Sequence, residues 1–130
     1  MEAHMDQRPG QVNAMGIMTI VSGFINISAG IGYSAAAVLG TLFIGIVCLP
    51  ITLIPVVLGV FEVIYGIKVL SDKPVSNTTM IGAFEIGSIL WGNILSAGIG
   101  VAVLILNNDP IVEAYFSSQP STAMTEVEKM

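Results

Sequence analysis

Residues Ala35 to Leu70 read AAAVLGTLFIGIVCLPITLIPVVLGVFEVIYGIKVL, with Glu62 and Lys68 as the only charges. As a single helix this run would measure about 54 Å at 1.5 Å per residue. The hydrocarbon core of a bilayer is about 30 Å thick, so the run has to turn. Leu49-Pro50 and Ile54-Pro55 offer the place, because proline lacks the N–H of the helical ladder and clashes with the preceding turn. The reading is a short helix over 35–48, a turn around Pro50 to Pro55, and a further helix over 55–70.

Outward from this run the pattern repeats. Before it, Val12 to Gly30 carries Met15, Ile17, Ile20, Val21, Phe24 and Ile27 with Asn26 as its one strongly polar interruption, which predicts a first helix over 12–30. The closely spaced glycines of Gly30-Ile31-Gly32-Tyr33-Ser34 offer a break after it. After it, Ser71 to Thr78 combines charge, proline and turn formers and reads as the interhelical loop. A fourth helix is expected over 79–106, long enough to span with tilt at roughly 40 Å. Asn107-Asn108-Asp109-Pro110 stops it. Asp109 can cap a new short helix with Pro110 at its first position. That helix, over 110–116, is expected to lie along the membrane surface with Tyr115 and Phe116 as anchors. The tail, 117–130, is polar and lacks apolar periodicity, so disorder is expected there.

Composition agrees with an all-α integral membrane bundle of about four transmembrane helices, a single domain over 1–116. Hydrophobic residues make up 54% of the chain and charged residues 10%, with a mean hydropathy of +0.86. A soluble domain holds charge at about a quarter of its residues to wet its surface. Between Arg8 and Glu62, and again between Glu85 and Asp109, no charge occurs. The N-terminal segment lacks the basic start of a secretory signal, so the first apolar helix is expected to stay as an anchor.

The same inventory excludes several classes of function. No Lys/Arg cluster exists, so neither nucleic acid nor anionic lipid headgroups are an evident target. His4 is the sole histidine and Cys48 the sole cysteine, so neither a histidine metal site, a haem held by two histidines, nor an internal disulfide can form. No phosphate-binding glycine loop and no nucleophile–base arrangement is recognisable. The expectation is a protein without cofactor, metal or catalytic residues.

Gly16, Gly23 and Gly30 recur every seven residues, as do Gly59 and Gly66. Seven residues are nearly two helical turns, so each set lines one face. Membrane helices associate by close packing that small residues permit. These glycines, with Gly82, Gly87, Ser88, Gly92, Ser96 and Gly100 on the fourth helix, mark helix contacts within the chain or with other subunits. A faint echo joins Gly59-Val60-Phe61-Glu62-Val63 to Gly82-Ala83-Phe84-Glu85-Ile86, and Gly16-Ile17-Met18-Thr19-Ile20 fits the same frame.

Glu62 and Glu85 are the principal candidates for a site. Ionisable groups inside a bilayer are costly and face the bundle interior, pair, or line a pathway. Counted from the loop between them, the two lie at similar depth and are expected to meet and share a proton. Asn26 and Asn93 read as interhelical hydrogen-bonding groups.

From Ile81 to Phe116 the chain resembles a class of uncharacterised small bacterial multi-spanning membrane proteins. In that class a Gly-Asn-containing last helix runs into Asp-Pro-x-Val-x-x-Tyr-Phe, here Asp109-Pro110-Ile111-Val112-Glu113-Ala114-Tyr115-Phe116. The resemblance implies a four-helix, multi-pass protein of a bacterial inner membrane and carries no activity with it. Taken with the absent ligands and abundant small-residue faces, the expectation is a non-catalytic accessory or structural subunit, its partners the lipid bilayer and other membrane subunits or further copies of itself. The rival expectation is a homo-oligomer moving protons or a small cation past Glu62 and Glu85.

Overall fold

The computed structural model describes residues 8–41, 43–71, 75 and 78–119, and among them every regular element is helical. Helix α1 runs Gly10–Gly40. A 3-10 segment, Ile44–Cys48, leads into α2 (Leu49–Thr52) and α3 (Ile54–Leu70). Helix α4 (Thr78–Gly87) passes into a second 3-10 segment, Ser88–Trp91, and is followed by α5 (Ile94–Asn107) and α6 (Pro110–Ser118). Two stretches, Gly10–Gly40 and Ile44–Leu70, are long and apolar enough to cross a membrane, or three if α5 and α6, bent by 73°, count as one.

The expected break at Gly30–Ser34 does not occur. Glycine permits a break without imposing one, and in an apolar medium every backbone N–H and C=O is best satisfied inside a continuous helix. The bare Cα of Gly30 serves contact instead: a Cβ there would lie 2.9 Å from the Val56 nitrogen. The separate helix expected over 35–48 is accordingly absent. Its first part finishes α1 and its last part belongs to the returning strand of chain.

The reversal expected at Pro50 to Pro55 falls instead around Thr41 and Phe43. Phe43 adopts φ +73°, and its N–H donates to the Val38 carbonyl at 2.8 Å. The Thr41 hydroxyl donates to Ala37 O at 2.5 Å and accepts from Gly45 N–H at 2.6 Å. Gly45 then lies directly on α1, where a Cβ would stand 2.0 Å from the Ala37 carbonyl oxygen. Only glycine fits that approach. Pro50 and Pro55 each occupy the first turn of a helical segment, where the missing N–H has no partner to lose. The chain therefore steps past both prolines toward Leu70.

Helix α1 and the returning α3 form a long antiparallel pair closed by glycines. Gly16 faces Val69 and Leu70, Gly23 faces Gly59 and Val63, and Gly30 faces Pro55 and Val56, while Gly66 sits on Ile20. From Gly16 onward the buried positions of α1 are Thr19, Ser22, Gly23, Asn26, Gly30 and Ser34, whereas Ile17, Val21, Phe24 and Ile31 point outward. A water-soluble core has the reverse pattern. Small and polar inside with large and apolar outside is what hydrocarbon surroundings favour.

The single fourth helix expected over 79–106 is an antiparallel hairpin. Gly92 turns it at φ +74°, a left-handed conformation that costs other residues about 1–2 kcal/mol. The Ser88 hydroxyl, its one proton shared between the Glu85 carbonyl at 2.6 Å and the Asn93 carbonyl at 3.3 Å, ties the two sides of the unwound segment together. Gly82 faces Leu104, and Gly100 faces Glu85 and Ile86. The arms of 10 and 14 residues measure about 15 and 21 Å. Each is shorter than the roughly 30 Å of a hydrocarbon core.

Asp109 caps α6, accepting from Ile111 N–H at 2.8 Å, and fully buried Val112 packs in a cluster with Val12 and Met15. The helix runs two residues past the expected 110–116. Gln119 follows it and accepts from Val75 N–H at 3.2 Å. The remainder of the expected tail, and most of the loop before α4, lie outside the described residues.

The relocated turn has a direct readout. In a Cys48→Ser background, Thr41→Cys is expected to react readily with a membrane-impermeant maleimide, and Thr52→Cys and Val60→Cys to stay protected. Thr52 is half-buried, with its hydroxyl 3.0 Å from that of Ser34. Labelling of Thr52→Cys with protection of Thr41→Cys would place the reversal at the prolines after all.

Candidate functional site

Helix α1 presents Thr19, Ser22 and Asn26 along one stripe, at spacings of three and four that stack on a helical face. All three are fully buried. Gly23 beside Asn26 and Gly59 beside Glu62 let the backbones of α1 and α3 approach until even short side chains reach across. A Cβ at Gly59 would stand 2.5 Å from the Gly23 carbonyl oxygen.

The α4–α5 hairpin brings the rest. Its turn places Asn93 at the N-cap of α5, where Asn93 Oδ1 accepts from Ser96 N–H at 3.1 Å. That bond orients the amide, since an amide has one acceptor oxygen and one donor nitrogen. Asn93 Nδ2 must then face outward, and it donates to Asn26 Oδ1 at 2.6 Å. Asn26 is oriented in turn. Its Nδ2 donates to both oxygens of Glu62 at 2.9 Å and to Ser96 Oγ at 2.9 Å. Ser96 and Ser22 bond through their hydroxyls, and Ser22 also neighbours the Glu62 carboxyl. Once Ser96 Oγ accepts from Asn26, its own proton is free for Ser22, and that of Ser22 for Glu62. The donors run from a backbone N–H to Glu62, where the chain of bonds ends.

Glu85 is treated differently. It is 0% exposed, and neither carboxyl oxygen has a hydrogen bond of regular geometry among the described residues. The equally buried Thr19 hydroxyl is the donor beside it, and the Glu62 carboxyl is its other polar neighbour. The two carboxyls are neighbours, as their matching depth implied. Glu62 is engaged by Asn26, and Glu85 stands beside it with the Thr19 hydroxyl.

Glu62, Glu85, Asn26 and Asn93 thus come together as one buried polar cluster. Ser22 joins it without having been singled out by sequence, and Ser88, Ser96 and Thr19, read there only as packing positions or as part of the internal echo, join it as polar partners; the three- and four-residue spacing of Thr19, Ser22 and Asn26 marked a polar stripe on an otherwise apolar helix. Of the glycines, Gly16, Gly23, Gly30, Gly59 and Gly66 lie in the α1–α3 contact. Gly92 lies outside it: exposed, with only the Tyr33 hydroxyl nearby, it makes the hairpin turn. The cluster offers oxygen atoms and amides, and no group of three or more His, Cys, Asp or Glu occurs among the described residues.

These features define an all-helical bundle of the membrane type with a polar centre. No family model matches the chain, and no curated protein or solved structure matches it.

Proposed function

We propose that this chain is a non-enzymatic multi-pass protein of a cell membrane that binds a proton or a small cation at Glu85, beside Glu62, and moves it across the bilayer. The observation that carries the reading is the fully buried Glu85 carboxyl, which has no hydrogen bond of regular geometry among the described residues and only the Thr19 hydroxyl beside it as a donor, next to a second carboxyl, Glu62. Such a group in low dielectric is costly unless something compensates it, and a proton or cation among Glu85, Thr19 and Glu62 does so. The setting supports it. Unwound backbone at membrane depth is tolerated where it lines a site, and broken helices supply ion sites in transporters. Here the break at Ser88–Asn93 directs Asn93 and Ser96 into the same cluster.

In proteoliposomes carrying an internal pH indicator and then an internal Na⁺ indicator, wild-type protein is expected to dissipate an imposed gradient of one of the two ions. Glu85→Gln is expected to fall to the level of empty liposomes. It should be at least as stable as wild type, because the new amide can donate to Thr19. Flux unchanged in Glu85→Gln, or wild-type flux no greater than that of empty liposomes, would overturn the reading.

A second reading, a structural subunit packed against other membrane chains or further copies of itself, has its own support. The α4–α5 hairpin stops short, its turn tied to the α1–α3 pair by Trp91 Nε1 donating to Ile51 O at 3.3 Å. Beyond that point Leu39, Ile44 and Val47 are broadly exposed, which leaves room beside the pair for a neighbouring helix. Purification in mild detergent separates the two readings. Different chains in fixed ratio favour the subunit, and a homo-oligomer with flux favours transport.

A further inference from the structure

Helices α3 and α4 touch only sparingly, and a groove of about 410 Å³ runs between them. Its walls are apolar, with Leu58, Phe61 and Tyr65 on α3 facing Met80 and Phe84 on α4, and one cation, Lys68, stands at its end. Leu58, Phe61, Tyr65 and Lys68 succeed one another at intervals of three and four, so they climb a single face of α3. From Leu58 to Lys68 the rise is about 15 Å at 1.5 Å per residue. That is half of a hydrocarbon core of about 30 Å, or one leaflet.

Lys68 lies in the last turn of α3. The same end of the bundle carries the start of α1 and the capped, amphipathic α6, whose Val112 packs on Val12 and Met15. Among the described residues, Arg8 before α1, Asp109 at the cap of α6 and Gln119 after it stand there, so it is an end that meets headgroups. A groove that is charged at the headgroup end, apolar for one leaflet's depth, and of a volume within the roughly 300–1,000 Å³ of ligand clefts has the shape of one amphiphile. We propose that it binds a single anionic phospholipid, with the phosphate on the Lys68 ammonium and one acyl chain along Leu58, Phe61 and Phe84. The charge at the mouth selects an anion. The depth of the apolar wall selects a lipid tail over a soluble phosphate.

This site is separate from Glu62 and Glu85, and its test does not depend on flux. The full chain, purified in mild detergent, is mixed with phosphatidylglycerol and phosphatidylcholine of identical acyl chains and examined by native mass spectrometry. Phosphatidylglycerol is expected to be retained at least about fivefold over phosphatidylcholine, the preference a single cation gives near an anionic headgroup. In Lys68→Gln, an exposed position, that preference should vanish while some retention of both lipids persists. Leu58→Trp, which fills the deep end, should reduce retention of both. Circular dichroism of each variant shows whether it has folded. Equal retention of the two lipids by wild-type protein, or a preference that survives Lys68→Gln, would overturn the proposal. Competition by glycerol phosphate as effective as by the lipid would assign the cation to a free anion, and a lipid-free dimer that dissociates in Phe61→Trp would assign the groove to a second copy. Either result would overturn it as well.

Discussion

Gly59→Leu is expected to separate α1 from α3 and to remove most of the folded protein from the membrane. The contact there is backbone on backbone. A Cβ at Gly59 would lie 2.5 Å from the Gly23 carbonyl oxygen and 2.9 Å from the Ile27 nitrogen, and one at Gly23 would lie 2.6 Å from the Gly59 carbonyl oxygen. A flexible side chain could rotate away from such a clash, but a helix backbone can yield only by shifting as a whole. Overpacking ordinarily costs about 1–3 kcal/mol, occasionally more, and the upper end applies because the shift also pulls Asn26 away from Glu62. Gly59→Ala should already be measurably destabilised. Gly98→Ala, at a glycine with nothing within 4 Å, should be neutral or stabilising, since alanine is the better helix former. Unfolding by sodium dodecyl sulfate in mixed micelles, followed through Trp91, the sole tryptophan, gives the comparison. A Gly59→Leu protein as stable as wild type would show that the helices do not touch there.

Asn26→Leu is the second large loss. Asn26 is the one residue bonded to α3, to the hairpin turn and to α5 at once, through Glu62, Asn93 and Ser96. Interhelical hydrogen bonds in membranes contribute about 0.6–2 kcal/mol each, so losing the bonds to three partners costs about 2–6 kcal/mol. The penalty lies in what is stranded, the Glu62 carboxyl above all, because a buried acceptor that loses its donor costs more than a bond that was never made. The double variant Asn26→Leu/Glu62→Leu should therefore be less destabilised than the sum of its two singles, by about 1–2 kcal/mol, within the range seen for residues in contact. Strictly additive losses would mean that the two side chains do not interact.

Both substitutions bear on the proposed transport through the same geometry. The glycine contact sets how near α1 stands to α3, and Asn26 converts that distance into a defined position for Glu62. Glu85 is held from another direction, by the close fit of Gly100 against its Cβ at 2.7 Å for the added atom. Two carboxyls on different helices are thus kept beside one another by two separate small-residue contacts. One of them is supplied with an amide donor, and the other has only the Thr19 hydroxyl beside it.

The membrane character of the chain was determined by sequence alone, because hydrophobicity is additive and needs no partner to be counted. The charge-free stretches, the Asp109-Pro110 start of α6 and the glycine heptads of α1 and α3 were all legible for that reason. Each depends on the residue itself or on neighbours within two helical turns. Where the chain reverses was decided by tertiary structure. Prolines at 50 and 55 and glycines at 30 and 32 are permissive in both directions: a proline can break a helix or begin one, and a glycine can end a helix or let another lie against it. Contact chose between these meanings, with Gly30 pressed on Val56 and Gly45 on the Ala37 carbonyl. The hairpin in the fourth segment was hidden for the same reason. Ser88 and Gly92 read as small packing residues, and Asn93 as a hydrogen-bonding group without a known partner, until Ser88 bonds the Asn93 carbonyl and Asn93 reaches Asn26, sixty-seven positions away in the chain. A sequence shows which groups are too polar to face lipid. Only the folded chain shows which of them are given partners, and here it gives Glu62 an amide and leaves Glu85 with the Thr19 hydroxyl.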